Sequence, residues 1–172
     1  GITLDVTARH HAEDALRQSE ERLRTLGDNL PDSVLYQVGQ RQDGTREILY
    51  VSSGVERLLG ISPAELLGNT DRFYARLEPA ELPALRTALA SPDGDLDIDL
   101  RVLRADQRWG WVNLRSRRQP GLDEQGRIVW NGVATDVTAK HQADTMLALQ
   151  TQRASALLDL PVQAEQLDEP AF

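Results

Sequence analysis

The chain has 172 residues, of which 40% are hydrophobic and 27% are charged, so it is long enough for one domain with a single core and further segments. Its formal net charge of −8 argues against nucleic-acid binding, and the absence of cysteine excludes disulfides, thiolate metal sites and a cysteine nucleophile. No apolar run approaches the roughly 20 residues that span a bilayer, so we expect a cytoplasmic domain whose parent protein could still be membrane-attached.

Two twelve-residue segments of the chain are similar, with seven identical positions. DVTARHHAEDAL begins at Asp5, and DVTAKHQADTML begins at Asp136, 131 residues further on. A repeat at a fixed period is typical of proteins built from arrays of similar units. We therefore predict that residues 1–6 are the last strand of a preceding unit, and that this chain is one unit of an array.

A helix that links two units is predicted for residues 7–30. Mostly apolar residues recur along it at alternating spacings of four and three, with Ser19 as a small polar position, which is the pattern of a two-stranded coiled coil. We interpret this stripe as a dimer seam, formed by Ala12, Leu16, Leu23 and Leu26. The alternative is an amphipathic helix that lies on its own domain.

The pattern changes at Pro31, where a domain covering residues 31–137 is predicted to begin. Residues 32–38 and 46–52 read as two strands, joined by a turn that contains Asp-Gly. Short helices follow, and one of them begins with the capping-box sequence SPAE. A longer helix is predicted in residues 78–91, with Leu82, Leu85 and Leu89 on one side.

Three further strands are predicted after this helix. The first, residues 95–104, alternates between apolar and charged residues, which indicates a sheet with one buried face. The second places Trp109 and Trp111 on the same face, and the third leads to a helix predicted for residues 138–160. That helix repeats the spacing of the dimer seam. Residues 161–172 are interpreted as the lead-in to a following domain.

The sequence contains no recognisable catalytic motif, so we expect no enzyme activity within this chain. The three histidines, His10, His11 and His141, all fall on the linker helices, so we expect no haem ligation. The alternating acidic residues at 95, 97 and 99 belong to a strand and lack the spacing of a calcium loop. No metal site is expected.

Three longer stretches resemble a PAS domain with its PAC segment, the sensory module of bacterial signalling proteins. They are SEERLRTLGDNLPDSVLYQV, SSGVERLLGISPAELLGN and the region from Arg104 to Asp144, which contains the Asp-x-Thr junction of that family. The resemblance implies an α+β fold, with a five-stranded antiparallel sheet, short helices on one face and flanking linker helices. It also implies neighbouring PAS domains and an output domain elsewhere, such as a histidine kinase or a diguanylate cyclase. The last residues are similar to lead-ins to GAF domains.

The resemblance further implies a pocket under the short helices. The residues that we expect to line it are Tyr36, Tyr50, Phe73, Tyr74, Trp111, Asn113 and Trp130. No cofactor is expected. The light-sensing flavin subclass of the family uses a cysteine adduct, which the absence of cysteine excludes, and non-covalently bound FAD is kept as the alternative. A mostly apolar wall suits a small ligand, but it equally suits a filled core. The alternative function is therefore a ligand-free module that only dimerises and relays.

The second copy of the repeat begins at the junction between the last strand and the exit helix. Thr138 is predicted to cap that helix, and Asp136 to bond the same turn or an arginine on the neighbouring strand, Arg115 or Arg117. We interpret Asp136 and Thr138 as a joint that relays the signal. The alternative is that they are ordinary capping residues.

Overall fold

The computed structural model describes the backbone of residues 2–92 and 94–168, and the side chains of residues 6–92 and 94–158. The chain divides into two units, the first ending at Asp136 and the second beginning at Val137. The first unit combines a helix, a five-stranded antiparallel sheet and several short helices. The predicted α+β architecture is confirmed.

The first helix, α1, extends from Ile2 to Asn29. Residues 2–6 therefore lie in a helix, and the prediction of a strand there is wrong. An isolated strand leaves its backbone N–H and C=O groups without partners, whereas a helix pairs them within the segment. Gly1 lies outside the described residues. The origin of this segment in a preceding unit stays a prediction.

The helix α1 is attached to the rest of its unit at its C-terminal end. Every side chain from Val6 to Leu26 is exposed, and Gly27 is the first buried residue. A Cβ at position 27 would lie 2.8 Å from Leu35 Cδ1, so the helix approaches the sheet closely at this glycine. The backbone N–H of Ser53 donates to Asp28 Oδ1 at 2.9 Å, which fixes the end of the helix.

The sheet has the strand order β2-β1-β5-β4-β3, and all its pairs are antiparallel. Its strands are β1 (Ser33–Gln40), β2 (Arg46–Val51), β3 (Leu96–Leu103), β4 (Trp109–Arg118) and β5 (Ile128–Asp136). The helices between β2 and β3 are α2 (Gly54–Leu59), α3 (Pro63–Leu66), α4 (Asp71–Tyr74), a 3-10 turn (Pro79–Glu81) and α5 (Leu82–Leu89). These helices and the inner face of the sheet enclose the hydrophobic core.

Two local sequence signals act as predicted. Ser62 Oγ accepts from the backbone N–H of Glu65, and the Glu65 carboxylate accepts from the backbone N–H of Ser62, both at 3.3 Å, which completes the capping box of α3. In β3, Leu96, Leu100 and Val102 are buried on the inner face. The alternation of apolar and charged residues therefore identified the core side of this strand correctly.

The strand β2 contains a bulge. Tyr36 lies opposite Val51, and Gln37 lies opposite Tyr50, but the next pair joins Val38 to Ile48. Leu49 is thus an additional residue in β2, and an additional residue reverses which side chains face the core. As a result Val51 is buried, while Tyr50 lies on the outer face of the sheet.

The second unit consists of one helix, α6, from Thr138 to Asp168. The predicted end of this helix at residue 160 is wrong, because the helix continues through Pro161. A proline removes one backbone donor, and the residues around it, mainly Ala, Glu, Gln and Leu, favour a helix. Residues 169–172 lie outside the described chain. Within the described chain, neither α1 nor α6 has an apolar stretch long enough to cross a membrane.

Candidate functional site: an apolar cavity under the short helices

A cavity of about 130 Å³ lies between the inner face of the sheet and the short helices. Its wall is almost wholly apolar, because inward-facing residues of the strands meet the buried sides of α2, α3 and α5. Typical wall residues are Val34, Ile48, Leu66, Leu85, Leu96 and Val112. Protein cores contain few voids larger than a water molecule, so a cavity of this size sets the region apart from a filled core.

A row of three residues crosses the inner face of the sheet at the cavity. Tyr36 in β1 and Ser116 in β4 are both paired with Gly132 in β5. The Tyr36 ring occupies the space above Gly132, where a Cβ would overlap it. Burial raises the pKa of Tyr36 to about 12, and the Ser116 hydroxyl acts weakly in the opposite direction. Tyr36 Oη nevertheless forms no hydrogen bond of ordinary geometry within the described chain.

A second aromatic residue, Trp130 of β5, is only 8% exposed and also lines the cavity. Its indole Nε1 is buried and lacks a hydrogen-bond partner among the described residues. Gly94 packs against this nitrogen, with a φ of +68° and with space so limited that a Cβ would lie 2.7 Å from Nε1. The indole position therefore depends on a glycine at residue 94.

Arg46, the first residue of β2, lies next to Trp130. Its guanidinium carbon is 5.1 Å from the centroid of the Trp130 ring. Its Nη2 donates to the backbone carbonyl of Leu89 at 3.1 Å, and so connects β2 to the end of α5. Arg46 is the one charged residue among those described residues that line the cavity.

Four of the seven predicted ligand residues do line this cavity: Tyr36, Phe73, Tyr74 and Trp130. Phe73 and Tyr74 are consecutive residues of α4, and their ring centroids are 5.8 Å apart. The sequence thus identified the aromatic part of the wall on both the sheet and the helices. Ligand binding by these residues stays a prediction.

The other three lie away from the cavity, and their placement in a common site is wrong. The bulge in β2 turns Tyr50 to the outer face of the sheet. In β4 it is Gly110, Val112, Leu114 and Ser116 that are buried, so Trp111 and Asn113 project from the opposite face. There the Asn113 amide donates to Asp97 Oδ1 at 3.0 Å and to Asp99 Oδ1 at 2.7 Å.

Three residues at the cavity, Arg46, Gly94 and Ser116, were not predicted from the sequence. Simple alternation would have found two of them, because Arg46 precedes Ile48 by two residues and Ser116 follows Leu114 by two residues, so each pair shares a face. No comparable signal marks Gly94, whose importance depends on the packing of Trp130.

A flavin does not fit this cavity as the structure describes it. Pockets for drug-sized ligands have volumes of roughly 300–1,000 Å³, at least about twice the 130 Å³ observed here. Of the residues expected to line the pocket, Trp111 and Asn113 lie on the other face of the sheet. Among the described residues there is also no cluster of three His, Cys, Asp or Glu side chains that could hold a metal ion.

The first unit ends at Asp136, one of the two predicted relay residues. Asp136 Oδ2 accepts from Arg104 Nη1 at 3.3 Å, and the Asp136 backbone N–H donates to the Asp32 carbonyl at 2.9 Å. The arginine partner differs from the prediction. Val112 lies opposite Asp136, and Arg115 and Arg117 are three and five residues further along β4, roughly 10 and 16 Å away at the rise of a strand.

The second unit begins next to Thr138, the other predicted relay residue. The Val137 carbonyl accepts from the backbone N–H of His141 at 3.0 Å, which makes Val137 the capping position and Thr138 the first helical residue. The prediction of Thr138 as the N-cap is therefore wrong by one position. Thr138 is buried, with 7% of its surface exposed.

Comparisons with known proteins agree with this architecture. The family model described as PAS fold (PAS_3) matches residues 48–134. The two-component sensor PprA of Pseudomonas aeruginosa is 30% identical over 159 residues, which covers 90% of this chain and 16% of that protein. This chain spans less than a fifth of the length of the curated relatives that it matches.

Two solved structures show the same fold. A sensory box histidine kinase/response regulator from Burkholderia thailandensis is 19% identical, with a TM-score of 0.52, and the match covers 78% of this chain and 96% of that one. An RNA-binding light-oxygen-voltage receptor is 23% identical, with a TM-score of 0.59, over 77% of this chain and 37% of that one. Since the matched family model covers just over half of the sequence and most of the sheet and helices around the cavity, the chain belongs to the PAS-fold family of sensory and signal-transduction modules.

Proposed function

We propose that this PAS domain detects a small, largely apolar molecule in the cavity under its short helices. We further propose that it passes the resulting change through its linker helices to an output domain outside this chain. The observation that carries the proposal is the cavity itself, since its volume of about 130 Å³ is several times the roughly 30 Å³ share of one water molecule. A domain that served only as a relay would gain stability by filling this space.

The relay part of the proposal is supported by the joint at Asp136 and Thr138. One residue separates them, so a shift of β5 is transmitted directly to the start of α6 along the chain. The hydrogen bonds of Asp136 to Arg104 and to the Asp32 backbone hold the end of β5 against two other segments. A strand end held in this way can favour one of two arrangements of the helix that follows it, and signal transmission requires such a choice.

Dimerisation through α1 is a further part of the proposal. Its leucines at positions 16, 23 and 26 are each more than 60% exposed in the single chain. Isolated helices are marginally stable in water, and most helical stability in proteins comes from the packing of an apolar face. A second copy of the chain would supply such packing. We also expect a parent protein with a cytoplasmic sensor region and an enzymatic output domain, the catalysis being outside this chain.

Native mass spectrometry of freshly purified protein tests the ligand. In the variant Val112→Phe a larger side chain enters the cavity, whereas in Val133→Phe the same change is made on the outer face of the sheet. We expect a bound molecule to be retained by the wild type and by the control, and to be lost from Val112→Phe. Circular dichroism establishes that both variants fold. A ligand of equal occupancy in all three proteins would place binding outside the cavity.

A further inference from the structure

Arg46 lines the cavity, and among the described residues no carboxylate pairs with it. The neighbouring Glu47 points to the opposite face of β2, where it pairs with Arg127 at 2.8 Å and with Arg41 at 3.3 Å. No other acidic side chain among the described residues lies within ion-pair distance of Arg46. The cavity wall therefore carries one positive charge that the described chain leaves unneutralised.

Within the part of the chain that the structure describes, the Arg46 guanidinium uses only part of its hydrogen-bonding capacity. It carries five N–H donors, and one of its nitrogens donates to the Leu89 carbonyl. Trp130 contacts the guanidinium through its ring, and its buried indole N–H, which packs against Gly94, has no acceptor among the described residues. A partly buried charge is costly unless it is paired and hydrogen-bonded, and the planar guanidinium fork matches a carboxylate. The chemistry at this end of the cavity thus favours an anionic acceptor.

The remainder of the cavity is apolar and small. An apolar cavity of roughly 150 Å³ accommodates a benzene molecule, and the cavity here measures about 130 Å³. A single arginine matches a single negative charge, whereas a phosphate dianion would need further cationic groups, and none lines this wall among the described residues.

We propose that the ligand is a small monocarboxylate with an apolar body of about the size of a benzene ring. The body occupies the cavity beside Tyr36, and the carboxylate pairs with Arg46. This inference rests on the proposed sensory function, because it assigns the chemical class of the molecule that the same cavity binds.

Isothermal titration calorimetry on the purified chain, with benzoate, benzamide and toluene as probes, tests the assignment. Toluene and benzamide share the ring of benzoate but carry no charge. We expect benzoate to bind at least about ten-fold more tightly than benzamide, since charge-assisted hydrogen bonds are roughly twice as strong as neutral ones. Raising the salt concentration should reduce this preference.

Two variants locate the charge that is recognised. Arg46→Met keeps the apolar stem and removes the guanidinium, so we expect benzoate to lose its advantage over benzamide. The control, Arg41→Met, removes the neighbouring arginine that pairs with Glu47, and should keep the advantage. Arg46→Lys retains the charge without the guanidinium fork, so it should keep part of the preference for benzoate. This variant supplies the test if Arg46→Met does not fold.

The results distinguish the carboxylate assignment from the proposed sensory function. Equal affinities for benzoate and benzamide, or undiminished benzoate binding by Arg46→Met, would overturn the carboxylate assignment. If toluene bound in either case, the cavity would remain a site for neutral apolar ligands. Failure of all three probes to bind would contradict the proposed sensory function as well as the assignment.

Discussion

Because Gly132 has no side chain, the Tyr36 ring can lie directly above it. The Tyr36 ring fills the space in which a Cβ of residue 132 would be placed. We predict that Gly132→Ala destabilises the domain by about 1–3 kcal/mol, the usual cost of forcing additional atoms into a packed core. Urea denaturation of the variant and the wild type measures this difference.

A double-mutant cycle supplies the control for this prediction. In a Tyr36→Leu background the ring is absent, so adding the alanine at 132 should cost much less than it does in the wild type. If Gly132→Ala were equally destabilising in both backgrounds, the destabilisation would not result from steric overlap with Tyr36.

The positions of some individual residues could not be predicted from the sequence. The aromatic residues were predicted to line a pocket because of their type, but type does not determine the face of a strand on which a residue lies. Trp111 was assigned to the wrong face because the buried face of β4 is formed by small and branched residues. The Arg46–Trp130 contact joins β2 to β5, and so it depends on the sheet order, which no local pattern reveals.

Arg127 connects two elements of the fold, the turn before β5 and the strand β2. Its guanidinium lies 2.8 Å from Glu47 Oε1 and 2.7 Å from Asp123 Oδ2. Hydrogen bonds from Arg127, and then from Arg41, hold the pKa of Glu47 below its ordinary value near 4.5. The pKa of Asp123 is likewise lowered, mainly by the backbone N–H of Arg127.

These lowered pKa values predict a loss of stability in acid. A carboxyl group whose pKa is lower in the folded state contributes stability above its unfolded-state pKa, and this contribution is lost as the pH falls through the folded value. We expect the unfolding midpoint in urea to fall as the pH is lowered from about 5 to about 3. Glu47→Gln should weaken the fold near neutral pH and reduce its sensitivity to acid.

The matched control for this experiment is Glu124→Gln, which alters an exposed glutamate in the same turn. That variant should follow the wild-type acid profile. If Glu47→Gln lowered stability by the same amount at every pH, titration of this carboxylate would not contribute to the acid dependence.

The elements themselves were largely predictable. The strands, the capping box of α3 and the inner face of β3 depend on local patterns of two to four residues, and these patterns are visible in the sequence. The bulge in β2 was not predictable in this way, because a single additional residue leaves the apolar character of the strand unchanged. Its consequence was the incorrect placement of Tyr50.

A prediction about the oligomeric state of the chain follows from the exposed seam of α1. We expect the chain to be a dimer in solution, and Leu16→Glu combined with Leu23→Glu to give a folded monomer. Each leucine buried in such a seam contributes roughly 1.5–3 kcal/mol, whereas two buried and unpaired carboxylates oppose association. Analytical ultracentrifugation measures the mass of each form.

The control places the same two charges on another side of the helix, as Gln18→Glu with Thr25→Glu. Both residues are exposed and lie outside the seam, so this variant should remain a dimer. A wild-type chain that sediments as a monomer at high micromolar concentration would contradict the dimer prediction, whatever the variants do.

Because α1 is attached to its unit at the C-terminal end, the number of residues in the helix determines the orientation of its N-terminal end. Each residue of a helix turns it by about 100° and extends it by about 1.5 Å. Removing one residue ahead of Gly27 would therefore rotate everything before the deletion by that angle about the helix axis, whereas removing seven would return it to within about 20° of its starting orientation. Changes in the length of α1 by whole heptads would thus nearly preserve the orientation of its N-terminal end.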